Sequence, residues 1–283
     1  MLRIAIQSKG RLYEESMALL EEAGIKIPGG KRTLLVPARN FPVEMLFLRD
    51  DDIPESVASG VADVGIVGLN EVMEKRCPVG ILKKLGFGKC RLSLAIPQDI
   101  DYQDRNWFSG KKIATSYPGI LSDYLHKNGI VSDIHVITGS VEIAPGIRLA
   151  DAIFDIVSSG STLVSNRLKE VETVVESEAV LIGTDSISPE KRGILDELLF
   201  RFDSVQAADD KKYILMNVPQ KKLNDVLSVL PGIKSPTVMP LADKEWCSVH
   251  TVLDEKCFWE IINRLKTAGA EGILVLDIEK MIL

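Results

Sequence analysis

Asp151-Ala-Ile-Phe-Asp-Ile-Val-Ser-Ser-Gly-Ser-Thr162 is an apolar run with one interior carboxylate that empties into a loop of small hydroxyl residues around Gly160. Ile153, Phe154, Ile156 and Val157 read as a buried strand. The change to Ser158, Ser159, Gly160, Ser161 and Thr162 puts hydroxyls and free backbone N–H groups at its carboxyl end. With a helix beginning over Leu163 to Leu168, the loop also meets the positive end of that helix, and a phosphate monoester is the natural guest. Asp155 is the odd member, because a carboxylate inside a buried strand is costly unless something pairs with it. Ribose hydroxyls at the strand end would do so. The plainer alternative is a Ser-rich turn with Asp155 paired to an arginine.

Outward from this stretch the pattern is α/β. Residues 91–97, 113–114 and 135–137 read as further strands of the same unit, and Ser116-Tyr117-Pro118 opens a helix running to about Asn128. Thr138-Gly-Ser-Val-Glu142 is another strand giving way to small polar residues, with Glu142 able to face a sugar. Residues 2–90 alternate short apolar runs (2–6, 34–36, 43–48, 64–67) with amphipathic segments, which implies a first α/β lobe. Asp52 before Ile53-Pro54-Glu55 reads as a helix N-cap with Pro54 in the first turn. A helix from about Pro189 to Phe202 returns toward that lobe. Two crossings between α/β lobes make a cleft, a common ligand site. From Lys212 the order is strand, helix, strand, strand, helix, strand, the ferredoxin-like βαββαβ unit, with Gly232 and Gly269 ending its helices.

Bulk properties narrow the classes. A chain of 283 residues with 46% hydrophobic content can bury a large core in two or three units. No apolar run is long enough to cross a bilayer, and Met1-Leu-Arg-Ile-Ala-Ile6 enters a strand pattern without a signal-peptide core, so the expected location is the cytoplasm. Cys77, Cys90, Cys247 and Cys257 lack metal or disulfide spacing and read as free thiols. A net charge of −6 argues against general nucleic-acid binding, while leaving room for local cationic phosphate sites.

Such sites stand at two strand ends. Gln7-Ser-Lys-Gly-Arg-Leu12 places Lys9 and Arg11 on either side of Gly10 before a helix, a setting for polyphosphate or an ordinary turn with solvated charges. Arg49 could hold pyrophosphate oxygens in its bidentate fork, and the following Asp50, Asp51 and Asp52 either cap a helix or bind water around a metal. Gly65-Ile-Val-Gly-Leu-Asn70 is a strand whose glycines suit close backbone approach, by a ligand or by packing. His126, His135 and His250 have neither triad nor metal spacing. A hydrolase that needs a base, or a zinc enzyme that needs ligands, is therefore poorly supported, and a reaction driven by electrophile activation fits better.

Taken together, the segments 7–12, 49–54, 62–68, 113–118, 138–145 and 150–163 resemble the ATP phosphoribosyltransferase family, the enzymes that open histidine biosynthesis, and the match spans the whole chain. The resemblance implies a two-lobed periplasmic-binding-protein-like α/β core with a C-terminal ferredoxin-like regulatory domain, as in the long form of the family. The implied domains are 1–90 plus about 181–208, then 91–180, then 209–283. It implies that the adenine N1 of ATP attacks the anomeric carbon of phosphoribosyl pyrophosphate and pyrophosphate leaves, giving phosphoribosyl-ATP. It further implies Mg2+ carried mainly on the substrate phosphates, L-histidine and AMP as inhibitors, and a homo-oligomer from dimer to hexamer.

Roles implied for the residues follow position by position. Asp155, Lys9 and Arg49 form the catalytic group. Asp151, Asp155 and Ser158, Ser159, Gly160, Ser161 and Thr162 hold the phosphoribosyl donor, with Asp151 alternatively only a strand-start cap. Lys9, Gly10, Arg11, Arg49, Tyr117 and Glu142 bind ATP or pyrophosphate, and Thr237, Ser248 and Ala270 bind the allosteric histidine. No polar contact is assigned to Leu69. Two other readings compete: a solute-binding protein, which shares two twice-crossed lobes, and a regulatory subunit without catalysis. The absence of an export signal and the phosphate loop weigh against the first, and the intact loop with Lys9-Gly-Arg11 weighs against the second.

Overall fold

The structure, a computed structural model, describes residues 1–28, 34–231 and 236–282, so the Gly232 helix end lies outside the described residues. The chain forms two compact units, Met1–Glu197 and Leu198–Leu283. The division falls within a helix, ahead of the boundary expected at 208/209.

The first unit opens with β1 (Leu2–Gln7), α1 (Arg11–Glu22), β2 (Leu35–Pro37) and β3 (Val43–Leu48). It continues with α2 (Ile53–Ala58), β4 (Val64–Gly68), α3 (Leu69–Lys75) and β5 (Gly80–Lys84). β1 is central: Leu2, Ile4, Ala5 and Ile6 are fully buried, as expected of a strand covered on both faces. It pairs in parallel with β3 and β4. Gly65 serves packing, since a Cβ there would lie 2.6 Å from Ile53 Cγ2 of α2. Asp52 does not cap α2 with its side chain; Asp50–Asp52 form a 3-10 turn that leads directly into the helix, so its backbone is already helical.

The chain then crosses to a second sheet through β6 (Cys90–Pro97), β7 (Lys112–Thr115), α4 (Pro118–Lys127), β8 (Asp133–Val136), β9 (Ala152–Val157), α5 (Ser161–Ser165) and β10 (Leu168–Ser177). It returns through β11 (Ala179–Gly183), which inserts between β4 and β5, and enters α6 (Pro189–Ala208). The strand orders are β2-β3-β1-β4-β11-β5 and β10-β6-β9-β7-β8. Two sheets joined by two crossings make a periplasmic-binding-protein-like core. The helix expected over 163–168 begins earlier, at Ser161, and stops at Ser165, because Leu168 already starts β10. Ile156 is 39% exposed, unlike the buried Ile153, Phe154 and Val157 of the same strand.

The second unit contains β12 (Lys211–Pro219), α7 (Leu223–Val229), β13 (Thr237–Pro240), β14 (Trp246–Asp254), α8 (Glu255–Ala268) and β15 (Glu271–Asp277). Its antiparallel order β13-β14-β12-β15 is that of a ferredoxin-like fold. Phe258, Ile261 and Leu265 line the buried stripe of α8 and pack with Ile214, Met216 and Val249. Gly269, at φ 108°, ends α8 in the left-handed conformation that glycine permits.

Candidate active site

The parallel strands of the two sheets end in the loops that carry the expected chemistry. In the first sheet Gln7 of β1 pairs with Leu48 of β3, and the Ser8 N–H donates to the Leu48 carbonyl at 2.8 Å. Lys9 and Arg49 therefore leave neighbouring strand ends, both exposed, and neither forms an ion pair with a described residue. Gly10 bends at φ 90° into α1. Arg11 Nε donates to Glu15 Oε1 at 3.0 Å, one turn along α1, an exposed pair that leaves both Nη groups for other partners.

In the second sheet β9 runs between β6 and β7 and delivers Asp155 and the hydroxyl loop to one pocket of about 260 Å³. Glu142, Asp155, Ser158, Ser159, Gly160 and Thr162 line it. Gly160 takes φ 80°, the left-handed turn that a side chain resists, and its carbonyl accepts the Val164 N–H at 3.2 Å. Ser159 Oγ and Ser161 Oγ lie 3.0 Å apart. Thr162 contributes its carbonyl to the Asn166 side chain at 2.9 Å, leaving its hydroxyl for the pocket.

Asp155 has no arginine partner among the described residues. Its Oδ1 accepts the Ile156 N–H at 2.8 Å. Burial pushes its carboxyl up to about 6, opposed by that backbone hydrogen bond and reinforced by the charge of Glu142. A half-buried acid without a cation, at the mouth of a hydroxyl loop, is set to accept hydrogen bonds from a neutral polyol. Asp151 is not part of this pocket. It sits at the opposite end of β9, where its carboxylate accepts the Lys112 N–H at 2.9 Å, so the strand-start alternative describes its position.

Tyr117 is 8% exposed, and its hydroxyl is committed. It donates to Glu71 Oε1 at 2.8 Å and accepts from Asn70 Nδ2 at 3.2 Å, which leaves at most the ring edge for a nucleotide. Burial and the adjoining Glu71 carboxylate raise the phenol well above its ordinary range. Burial likewise raises Glu71, opposed by the Tyr117 hydrogen bond. Asn70 completes the cluster, accepting from Ser177 Oγ at 2.8 Å. These residues link α3 of the first sheet to the N-cap of α4 and to β10 of the second; the sequence singled out Tyr117 and the strand end at Asn70, whereas Glu71 and Ser177 look like ordinary helix and strand polar residues. Arg91, Ser93 and Glu170 beside the loop were missed for the same reason.

In the second unit Thr237 pairs with His250 across β13 and β14, and Ser248 Oγ lies 3.0 Å from His250 Nε2. These three share the sheet face away from the helices. Ala270 does not join them: its methyl packs in the helix-side core and its N–H is bonded to the Leu265 carbonyl. Among the described residues no group of three or more His, Cys, Asp or Glu could hold a metal ion, and no helix is long and apolar enough to cross a membrane.

Residues 49–204 match the family described as ATP phosphoribosyltransferase, and residues 208–280 match the HisG C-terminal domain. Proteins named ATP phosphoribosyltransferase from Bacteroides fragilis (strain ATCC 25285) and Phocaeicola vulgatus are each 70% identical over 283 residues, covering 100% of both chains. Among solved structures, a chain of the ATP phosphoribosyl transferase (HisG:HisZ) complex from Thermotoga maritima aligns with a TM-score of 0.61 and 27% identity, covering 71% of this chain and 98% of that one.

Proposed function

The chain belongs to the ATP phosphoribosyltransferase family, the first enzymes of the histidine pathway, and from that premise we propose that it joins adenine N1 of ATP to the anomeric carbon of phosphoribosyl pyrophosphate in the cleft between its two sheets. The observation that carries this reading is the pocket in which the left-handed loop at Gly160 and the cation-free Asp155 meet. Serine and threonine hydroxyls with the loop's N–H groups suit the 5′-phosphate, and Asp155 suits the ribose hydroxyls.

The bond from N1 to C1 forms as the bond from C1 to the pyrophosphate oxygen breaks. Adenine N1 brings its own lone pair, so the step needs no general base, in keeping with a pocket lined by no histidine. Positioning and charge stabilisation then carry the rate. Asp155 and Glu142 place negative charge beside a ribose that becomes cationic. Lys9 and Arg49 supply positive charge for pyrophosphate or the ATP phosphates, and Gly10 admits these groups close to the backbone. Arg11, whose Nε rests on Glu15, has both Nη groups to add to them. Tyr117 acts chiefly by bracing the cleft.

Mg2+ would enter on the substrate phosphates. Two pocket carboxylates, with no group of three or more His, Cys, Asp or Glu among the described residues to cage a metal, suit an ion that keeps most of its water, and when bound it would neutralise pyrophosphate charge. We place histidine feedback on the open face of the second unit at Thr237 and Ser248, with AMP competing at the ATP site, assembly from dimer to hexamer, and a cytoplasmic location where both substrates occur. Domain limits of 1–90 plus 181–208, 91–180 and 209–283 remain part of the proposal. Mixing the protein with ATP, phosphoribosyl pyrophosphate and magnesium and following ultraviolet absorbance of the adduct tests it. Growth of the signal supports transfer; binding of either ligand without turnover would indicate a solute-binding protein.

A further inference from the structure

The hydroxyl loop is held from behind. Arg91 of β6 donates through Nε and Nη2 to the two carboxylate oxygens of Glu170 of β10, at 2.6 and 2.5 Å, and its remaining nitrogen Nη1 donates to the Ser158 carbonyl at 3.2 Å. Glu170 is itself fixed: the fully buried Ser93 donates to it at 2.7 Å and Thr173 at 3.1 Å. Strand register puts the group on the pocket face, since Arg91 lies opposite Val157 and Ser93 opposite Asp155. The ladder between β10 and β6 is irregular after Glu170, a place where a bulge re-aims side chains. A bidentate fork leaves the guanidinium plane little freedom, so Nη1 has a set direction.

The consequence lies in the next peptide. The Ser158 carbonyl and the Ser159 N–H belong to one planar trans unit and point opposite ways. Drawing the carbonyl back toward Arg91 turns that N–H away from Arg91. A rotated peptide would instead present carbonyl oxygen to an arriving phosphate. We propose that Arg91, braced by Glu170, is a positioning residue for donor binding: it holds the Ser158–Ser159 peptide so that the Ser159 N–H is offered to the 5′-phosphate. This rests on residues 158–162 being the phosphate loop.

The test is steady-state kinetics with donor and ATP varied separately for Arg91→Lys, Glu170→Gln, their double variant and Thr162→Val, with a melting curve for each. Arg91→Lys keeps the charge and loses the fork; it should raise the donor KM about tenfold, the effect of losing one charge-assisted hydrogen bond. The ATP KM should stay within about twofold, and kcat within about threefold, because the contact is made before and after bond exchange alike. Glu170→Gln should show the same split more weakly, and the double variant should be little worse than Arg91→Lys, since both act through one device. A wild-type donor KM in Arg91→Lys and Glu170→Gln, with a raised one in Thr162→Val, would overturn the proposal and leave the phosphate loop standing. An unchanged donor KM in Thr162→Val as well would overturn the loop assignment and the proposal with it. Equal rises in both KM values with a lower melting temperature would show general disruption and also overturn it. Should Arg91→Lys fail to fold, Glu170→Gln, which keeps the shape and an acceptor, decides alone.

Discussion

The Tyr117 hydroxyl donates to Glu71 at 2.8 Å, joining the N-cap of α4 on one sheet to the first turn of α3, the helix that leaves the other sheet. Both residues are under a tenth exposed, so each hydrogen bond in the cluster shields a group that water no longer reaches.

Tyr117→Phe should therefore lower unfolding free energy by about 1 to 2 kcal/mol, measured by urea denaturation at neutral pH. Glu71 carries a raised folded-state pKa, so the folded protein holds a proton that the unfolded chain releases. Stability from this group falls as pH rises above the ordinary carboxyl range and levels off past its folded value. Glu71→Gln should flatten that slope; an unchanged slope would show that Glu71 is not its source.

Asp155 should trade stability for function. Its carboxyl rises from 3.8 to about 6 in the folded protein, so ionised Asp155 opposes folding above pH 6. Asp155→Asn should be more stable there by about 1 to 3 kcal/mol, yet turn over at least about a hundredfold more slowly. In the wild type, kcat/KM for the donor should decline as pH drops through about 6, when the acceptor is protonated. Wild-type kinetics in Asp155→Asn would remove it from the ribose site.

Glu74 caps a helix it does not belong to. Its carboxylate accepts the Gly119 and Ile120 N–H groups of α4 at 2.8 and 2.9 Å, where helix termini favour negative charge. Glu74→Ala should cost about 1 to 2 kcal/mol, and Glu74→Gln less, seen as ordered falls in melting temperature.

The architecture was largely legible because apolar runs and their punctuation are local. Residues 2–6, 43–48 and 152–157 announce strands by composition, and α8 matches its expected limits because Asp254 and Gly269 bracket one amphipathic stripe. The hydroxyl loop and Asp155 were legible for the same reason: their sequence spacing is their geometry. Arg11 bound to Glu15 was not, because a free cation and an i,i+4 pair look alike before the rotamer is known. Asp151 shares a strand with Asp155, and only strand direction puts it at the wrong end. Glu71, Ser177, Arg91 and Glu170 gain their meaning from partners dozens of residues away.

Histidine binding offers a check on the second unit. Calorimetric titration of the full-length Thr237→Val and Ser248→Ala variants should show affinity weakened about five- to tenfold, the loss of one neutral hydrogen bond each. Ala270→Gly should bind normally, since its methyl faces the core. Undiminished affinity in both polar variants would move the site elsewhere.

We propose above all that the turn around Gly160 seats a sugar phosphate for displacement by a purine nitrogen. A crystal structure with phosphoribosyl pyrophosphate and magnesium tests it most directly. The 5′-phosphate should lie within hydrogen-bond reach of Ser159, Ser161 and Thr162, with ribose hydroxyls on Asp155. A donor bound with its 5′-phosphate on Lys9 and Arg49, and the Gly160 loop untouched, would contradict it.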